Sequence, residues 1–220
     1  AELRIRGFID RAGIIQEMQL MNERLIVAQG DAFERGRVIG ERSSERIRKV
    51  LRAQEQADVD KDGLTLHDWL GQAEAFMPCI KEHAAETLTE MEGVAAGSGL
   101  AFDDILLLSC VYEKHMGKGA EHCTAFAAAG AATATGELIC GQNNDETVEP
   151  WVGGTMDVVI HHRDESGLET LLYTHPGIPA YMGMNSAGLC VMWMYIDNGE
   201  RGPGVPTCVL IRELLRHATL

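Results

Sequence analysis

The first half of the chain spaces its apolar residues three and four positions apart, as one face of an α-helix does. Five such residues predict a helix over residues 32–57: Phe33, Val38, Ile47, Val50 and Leu51. A short apolar stretch over residues 24–28 precedes that helix and predicts a strand. The segment 1–122 is therefore expected to be mainly helical and to form a lid or outer layer.

Three further helices are predicted in this first segment. Thr65 and Asp68 stand at capping-box spacing, which predicts a helix that starts there and ends before Pro78. The next helix is predicted by five apolar residues and two closing glycines: Ile80, Ala84, Leu88, Met91, Ala95, Gly97 and Gly99. The apolar run 104–112 predicts the last of the three.

From Cys123 onward the pattern changes to strands separated by glycine-bearing turns. Strands are predicted over six ranges: 123–130, 138–143, 155–163, 168–174, 178–184 and 188–196. The final segment 206–217 is predicted to return onto the sheet as a helix. Helices, then a sheet, then a helix predict an α+β fold of packed layers, in which 1–122 and 123–220 are two parts of one domain.

The composition and net charge of the chain limit which kinds of molecule it is expected to bind. The 220 residues are 45% hydrophobic and 24% charged, as in ordinary globular chains, and their formal net charge is -14. Such a charge repels phosphate backbones and anionic lipid, so neither nucleic acid nor membrane is an expected partner. No apolar run reaches the ~18 residues that span a bilayer, and the first residues lack the apolar core of a signal peptide.

Cysteine usage points to a reducing compartment. Six cysteines form no C-x-x-C pair, and five of them stand beside apolar residues: Cys79, Cys110, Cys140, Cys190 and Cys208. This pattern is typical of buried free thiols rather than of a disulfide framework or a zinc site. A cytoplasmic location is therefore predicted.

The remaining cysteine opens the most informative stretch, Cys123-Thr124-Ala125-Phe126. Across one predicted hairpin lies the block Gly141-Gln142-Asn143-Asn144-Asp145. A cysteine that becomes a new N-terminus carries its own base, because its α-amine has an unperturbed pKa of about 7.7 to 8.0 and its thiol one of about 8.5. The arrangement is what an N-terminal-nucleophile amidase needs, and the chain is interpreted as a precursor.

The chain resembles the acyl-CoA:6-aminopenicillanate acyltransferase (isopenicillin-N acyltransferase) family of the Ntn-hydrolase superfamily, and more loosely the choloylglycine and penicillin V hydrolases. The resemblance extends over most of the chain in six ordered blocks: 30–36, 90–97, Cys123-Thr124, 141–145, 183–188 and 204–206. It implies a four-layer αββα sandwich. It also implies an inactive precursor that cleaves itself between His122 and Cys123.

The resemblance further implies roles for individual residues. Cys123 would be the nucleophile, and the Asp145 carboxylate would hold its amine and thiol. Gln142 takes the position of an arginine in the bile-salt hydrolases, and Asn143 would bond backbone across the hairpin. Tyr195 would supply one oxyanion donor, and Trp193 lies near the implied pocket.

Family members continue beyond residue 220, so the resemblance also implies that part of the fold lies past this chain. A second oxyanion asparagine and a substrate-facing arginine would belong to that part. His122 also differs from the glycine that precedes the nucleophile in the penicillin acyltransferases.

Several readings stay open at this point. The acyl-enzyme could be resolved by water or by an amine, so the substrate is predicted only as a small-molecule amide or acyl compound, and no cofactor is expected.

A rival hypothesis is a calcium-binding or interaction module in which Cys123 is inert. It rests on Asp58, Asp60 and Asp62, which match the first half of an EF-hand loop although Trp69 stands at its twelfth position. A third reading is an Ntn fragment that never cleaves.

Overall fold

A computed structural model describes residues 23–63, 65–115, 122–145, 156–194 and 202–219. Within these ranges the fold is α+β, as predicted, with one five-stranded mixed sheet and a separate two-stranded hairpin. The strands are β1 Leu25–Gln29, β2 His122–Gly130, β3 Gly136–Asp145, β4 Val158–Arg163, β5 Glu169–Thr174, β6 Met182–Asn185 and β7 Cys190–Val191. The helices are α1 Ala32–Asp62, α2 Leu70–Glu74, α3 Met77–His83, α4 Ala85–Ser98, α5 Phe102–Ser109, α6 Val111–His115 and α7 Thr207–Leu214.

Helix α1 is longer than its apolar pattern predicts. The side chain of Asp31 caps its start by accepting a hydrogen bond from the Glu34 amide at 2.9 Å. The helix continues past residue 57 to Asp62 and ends at Gly63, whose φ of 68° is the left-handed conformation of a glycine C-cap. Phe33 was expected on the buried face but is exposed.

The calcium-loop hypothesis is wrong, because its aspartates belong to α1 rather than to a loop. Residues two apart on a helix point in widely different directions, whereas an EF-hand needs them to converge on one ion. Asp58 is buried and pairs with Lys114, and Asp60 accepts a hydrogen bond from Gln56 at 2.8 Å. In the part of the chain that the structure describes, no group of three or more His, Cys, Asp or Glu could hold a metal ion.

The other predicted helices are present but divided. The Thr65–Asp68 contact forms as expected, with the Thr65 amide donating to the Asp68 carboxylate at 2.6 Å. It starts a short 3-10 turn, Leu66–Trp69, that leads into α2. The helix predicted through residue 84 breaks there, where Ala84 has φ -142° and separates α3 from α4. The run 104–112 likewise divides at Cys110 into α5 and α6.

Helices α1 and α4 contact each other through glycines on both sides. A Cβ atom placed on Gly36 would lie 1.9 Å from the Glu90 carbonyl oxygen, and one on Gly93 would lie 2.2 Å from that of Phe33. Gly40 and Gly97 are packed as tightly against the opposite backbone. Only glycine lets two helix backbones approach this closely, so these four positions fix where the helices cross.

The sheet has the order β1-β4-β5-β6-β7 and includes a strand from the predicted helical segment. Strand β1 lies at its edge and pairs in parallel with β4, while the other neighbours are antiparallel. Burial alternates along β1, β4 and β5, so one sheet face enters the core. That core also contains residues of the helices, among them Ile47, Met91, Leu108 and Ile211. Both parts of the chain therefore share one hydrophobic core.

The opposite sheet face carries exposed apolar side chains. Five of them lie on three of the sheet's strands: Leu25, Val27, Leu171, Tyr173 and Met184. None of the described helices is long and apolar enough to pass through a bilayer.

A buried charge cluster joins the helices to the sheet. Arg212 of α7 donates two hydrogen bonds of 2.9 Å to the Glu90 carboxylate of α4, and Arg35 of α1 approaches the same carboxylate at 3.3 Å. Burial is the largest influence and by itself would raise the pKa of Glu90, but the charge of Arg212, its hydrogen bonds and the charge of Arg35 together outweigh burial and hold that pKa well below its usual range. His162 of β4 lies beside this pair, with its Nδ1 3.6 Å from Glu90.

The helix crossing can be tested with Gly93→Ala. The added methyl group meets backbone atoms that cannot move aside, so we expect a loss of roughly 3 kcal/mol in the free energy of unfolding, measured with urea. Gly71→Ala is the matched control, because a Cβ at Gly71 meets nothing within 4 Å. We expect Gly71→Ala to be neutral or stabilising by up to about 1 kcal/mol. Equal effects of the two substitutions would contradict the close approach.

The charge cluster predicts a pH dependence. Burial, then the charge of Arg212, lowers the pKa of His162 to about 3. The unfolded chain binds this proton near its ordinary pKa of about 6.5, so the stabilisation is complete above that pH and is lost as the pH falls toward 3. We expect wild-type stability between about pH 6.5 and 4.5 to fall more steeply than that of His162→Asn, by about 1.4 kcal/mol per pH unit.

Urea titrations at several pH values measure this slope. His83→Asn is the control, because the His83 side chain is 59% exposed. It should keep the wild-type slope. A His162→Asn slope equal to that of wild type would show that His162 takes up no proton on unfolding.

Candidate nucleophile site

The predicted hairpin is present and has a defined register. Strands β2 and β3 pair antiparallel, with Cys123 directly opposite Asn144 and His122 opposite Asp145. Cross-strand partners point to the same face and successive residues to opposite faces. One hairpin face therefore carries Cys123, Ala125, Gln142 and Asn144, all half-buried, and the other carries exposed residues such as Asn143 and Asp145.

The thiol of Cys123 contacts an amide that is itself anchored. Cys123 Sγ donates to Asn144 Oδ1 at 3.6 Å, and the Tyr181 hydroxyl donates to the same oxygen at 2.6 Å. Tyr181 is buried in the core, so it fixes the orientation of the Asn144 amide. Asn144 and Tyr181 were not among the predicted site residues. The length of the hairpin turn, which sets the register, is the signal that could have identified Asn144.

Asp145 is not placed against the thiol. Because it lies across from His122, its side chain belongs to the hairpin face opposite that of Cys123 and is exposed. In this register the side chain that contacts the Cys123 thiol is therefore Asn144, not Asp145 as predicted. Asp145 stands instead across the hairpin from the residue that precedes the predicted scissile bond.

Gln142 and Trp193, both predicted supporting residues, are brought together. Gln142 Nε2 donates to the Trp193 carbonyl oxygen at 2.5 Å. Gln142 Oε1 is buried without a hydrogen-bond partner in the described structure. A buried acceptor with no donor is costly, so this oxygen is suited to accept a hydrogen bond from a ligand. Asn143 pairs with Thr124 in the hairpin ladder.

An aromatic cluster lies beside this face. The Trp193 ring packs edge-on against Tyr112 and Tyr181, with centroid distances of 4.5 and 5.3 Å. His175 packs edge-on against Tyr181 at 5.2 Å, and its Nδ1 is 2.7 Å from the buried carboxylate of Asp157. The cluster therefore fixes Tyr181, and through it the amide that receives the thiol.

The remaining sequence predictions concern Tyr195 and the burial of the other cysteines. Tyr195, the predicted oxyanion donor, lies outside the described residues. Of the cysteines predicted to be buried, Cys110 and Cys208 are buried, whereas Cys79, Cys140 and Cys190 are half-exposed. That expectation was therefore wrong for three positions. Cys140 lies on the hairpin strand β3 and Cys190 on β7, the last strand of the sheet, while Cys79 lies on the short helix α3.

Comparison with known proteins adds no assignment. No model of a known protein family matches this chain, and no curated protein matches it either. The resemblance drawn from the sequence blocks thus remains a prediction, and the site rests on its own geometry.

The Cys123–Asn144 contact can be tested by alkylation. Removing the amide in Asn144→Ala takes away the acceptor that holds the thiol, and a hydrogen bond of about 1 kcal/mol corresponds to roughly fivefold in rate. We expect iodoacetamide to modify Cys123 about fivefold faster in this variant, measured by mass spectrometry. Asn143→Ala, on the other hairpin face, is the matched control and should leave the rate unchanged. An equal change in both variants would argue against the register.

Proposed function

We propose that this protein is an N-terminal-nucleophile cysteine amidohydrolase or acyltransferase, made as a precursor that cleaves itself before Cys123. The observation that carries the proposal is the position of Cys123 near the start of β2. Its half-exposed thiol is held by an anchored amide, and a carboxylate lies across the hairpin from the preceding residue. Together these groups provide a nucleophile next to the peptide bond that would release its amine.

Maturation would begin when the Cys123 sulfur attacks the carbonyl carbon of His122. The peptide C–N bond breaks as a thioester forms, and the departing nitrogen takes a proton to become the α-amine of Cys123. Water then hydrolyses the thioester, which leaves a carboxylate on His122 and restores the thiol. The segment 1–122 would become one piece and 123–220 the other. The shared hydrophobic core supports their continued association after cleavage.

Turnover would use the same sulfur. The new α-amine accepts the thiol proton, and the thiolate attacks an amide or thioester carbonyl to give an acyl-enzyme. The amine then returns the proton to the leaving group, and water or an acceptor amine resolves the acyl-enzyme. The chemistry calls for no cofactor, since the nucleophile and the base belong to one residue.

Neighbouring groups fit supporting roles. Asp145, across from His122, would accept a hydrogen bond from the ammonium formed at the new chain end. The buried Gln142 Oε1 would accept one from the substrate, beside the ring of Trp193. Tyr195 is proposed as an oxyanion donor, a role in which removing one donor commonly costs ~10²- to 10³-fold in rate.

We also propose that the fold is the four-layer αββα sandwich of Ntn hydrolases. Helices already pack on one face of the five-stranded sheet within a common core. The opposite face exposes apolar residues such as Leu171 and Met184, which is the face that a second sheet would pack against. The described cysteines have free thiols, as is usual in a reducing compartment, and we therefore also propose a cytoplasmic location.

Intact-mass measurement tests the proposal. We expect purified wild-type protein to give two pieces, one that ends at His122 and one that begins at Cys123. Cys123→Ala should stay whole and lose turnover of an acyl-amide panel, because it lacks the attacking sulfur. Cys79→Ala is the matched control, since Cys79 is another half-exposed thiol, on α3, and should cleave normally.

The other possible results of these mass and turnover measurements lead to different conclusions. A whole wild-type chain with no turnover would contradict self-cleavage before Cys123, and it is also the result expected of an Ntn fragment that does not mature. A whole chain whose activity survives Cys123→Ala would end the proposal. Among active preparations, the ratio of hydrolysis to acyl transfer with an added amine separates the hydrolase from the acyltransferase.

A further inference from the structure

Two cysteines meet between the hairpin and the sheet. Cys140 Sγ of β3 lies 3.4 Å from Cys190 Sγ of β7, and both side chains are half-exposed. They are 50 positions apart in the chain, so the fold rather than local sequence brings them together. Cys110 and Cys208, by contrast, are buried in the core.

The pair lies where the β2–β3 hairpin meets the five-stranded sheet, and among the described residues no strand of one pairs with a strand of the other. Strands β2 and β3 form one sheet, and β7 is the last strand of the other. Side-chain contacts join them: Cys140 with Cys190, Gln142 with the Trp193 carbonyl, and Asn144 with Tyr181. The position of the hairpin that carries Cys123 therefore depends on a few side chains.

We propose that Cys140 and Cys190 form an oxidation site, in which a reversible disulfide locks the Cys123 hairpin onto the five-stranded sheet. Disulfide sulfurs lie about 2.0 Å apart, so the two sulfurs need to approach by roughly 1.4 Å. Small rotations of two half-exposed side chains provide that approach. The inference does not rest on the proposed enzymatic function.

The oxidant is a small-molecule disulfide of the glutathione class. One cysteine thiolate attacks it, which forms a mixed disulfide and expels one small thiolate. The second cysteine thiolate attacks the protein-bound sulfur and expels the other. Two electrons pass from the cysteine sulfurs to the oxidant, and the two protons that the cysteines lose convert the expelled thiolates to thiols.

The surroundings slow the oxidation of the pair at neutral pH. Burial, and then the hydrogen bond with Cys140, raises the pKa of the Cys190 thiol to about 11. Because the thiolate is the reacting form, oxidation is expected to be slow at neutral pH and is best followed at about pH 8.5 to 9.

The test treats the full chain with oxidised glutathione, blocks remaining thiols, and maps the peptides by mass spectrometry. We expect a Cys140–Cys190 linkage, about 2 Da lighter than the two reduced peptides and reversed by dithiothreitol. Cys140→Ser and Cys190→Ser should each abolish it, and Cys79→Ser should leave it intact. Both cysteines lie after Cys123, so the readout is the same for a whole and a cleaved chain.

Hydrogen exchange measures the locking itself. We expect amides of β2 and β3 to exchange at least about threefold more slowly in the oxidised protein, because the linkage removes motions that separate the hairpin from the sheet. The oxidised sample of Cys140→Ser should show no slowing. No linkage, a preferred linkage of either cysteine to Cys123 or Cys79, or a linkage without slower exchange would overturn the inference.

Discussion

The backbone contact between α1 and α4 is the constraint on which much of this structure depends. Gly36, Gly40, Gly93 and Gly97 remove the side chains that would hold the two helices apart. Arg35 directly precedes one of these glycines, and Glu90 supplies the carbonyl that Gly36 approaches. The same crossing therefore decides that Arg35 and Glu90 meet in the interior.

The buried charges follow from that crossing. An unpaired carboxylate at Glu90 would be very costly, and its bidentate contact with Arg212 offsets the cost of burial. Arg212 belongs to α7, the helix that follows the sheet. Its pairing with Glu90 therefore fixes the position of α7 on the sheet. Asn185 helps to hold α7 in this position, because its Nδ2 donates to the Leu215 and His217 carbonyls beyond the end of the helix.

The candidate site is built differently from the core that supports it. Its hairpin pairs only with itself among the described strands and reaches the sheet through side chains. The alternation of the hairpin also separates two kinds of chemistry, with the thiol and its amide on one face and the Asp145 carboxylate on the other.

The sequence by itself determined the α+β class, most element positions and the hairpin that carries Cys123, because periodicity and turn residues are local signals. Only the tertiary structure decided the partners. Asn144 rather than Asp145 faces the thiol because the hairpin register sets which residues oppose each other. Asp58 and Asp60 belong to α1 rather than to a calcium loop, and Asp58 pairs with Lys114, 56 positions away, because the fold brings these two residues together. Cys140 and Cys190 meet for the same reason: contacts between distant segments depend on how elements pack, which no local pattern records.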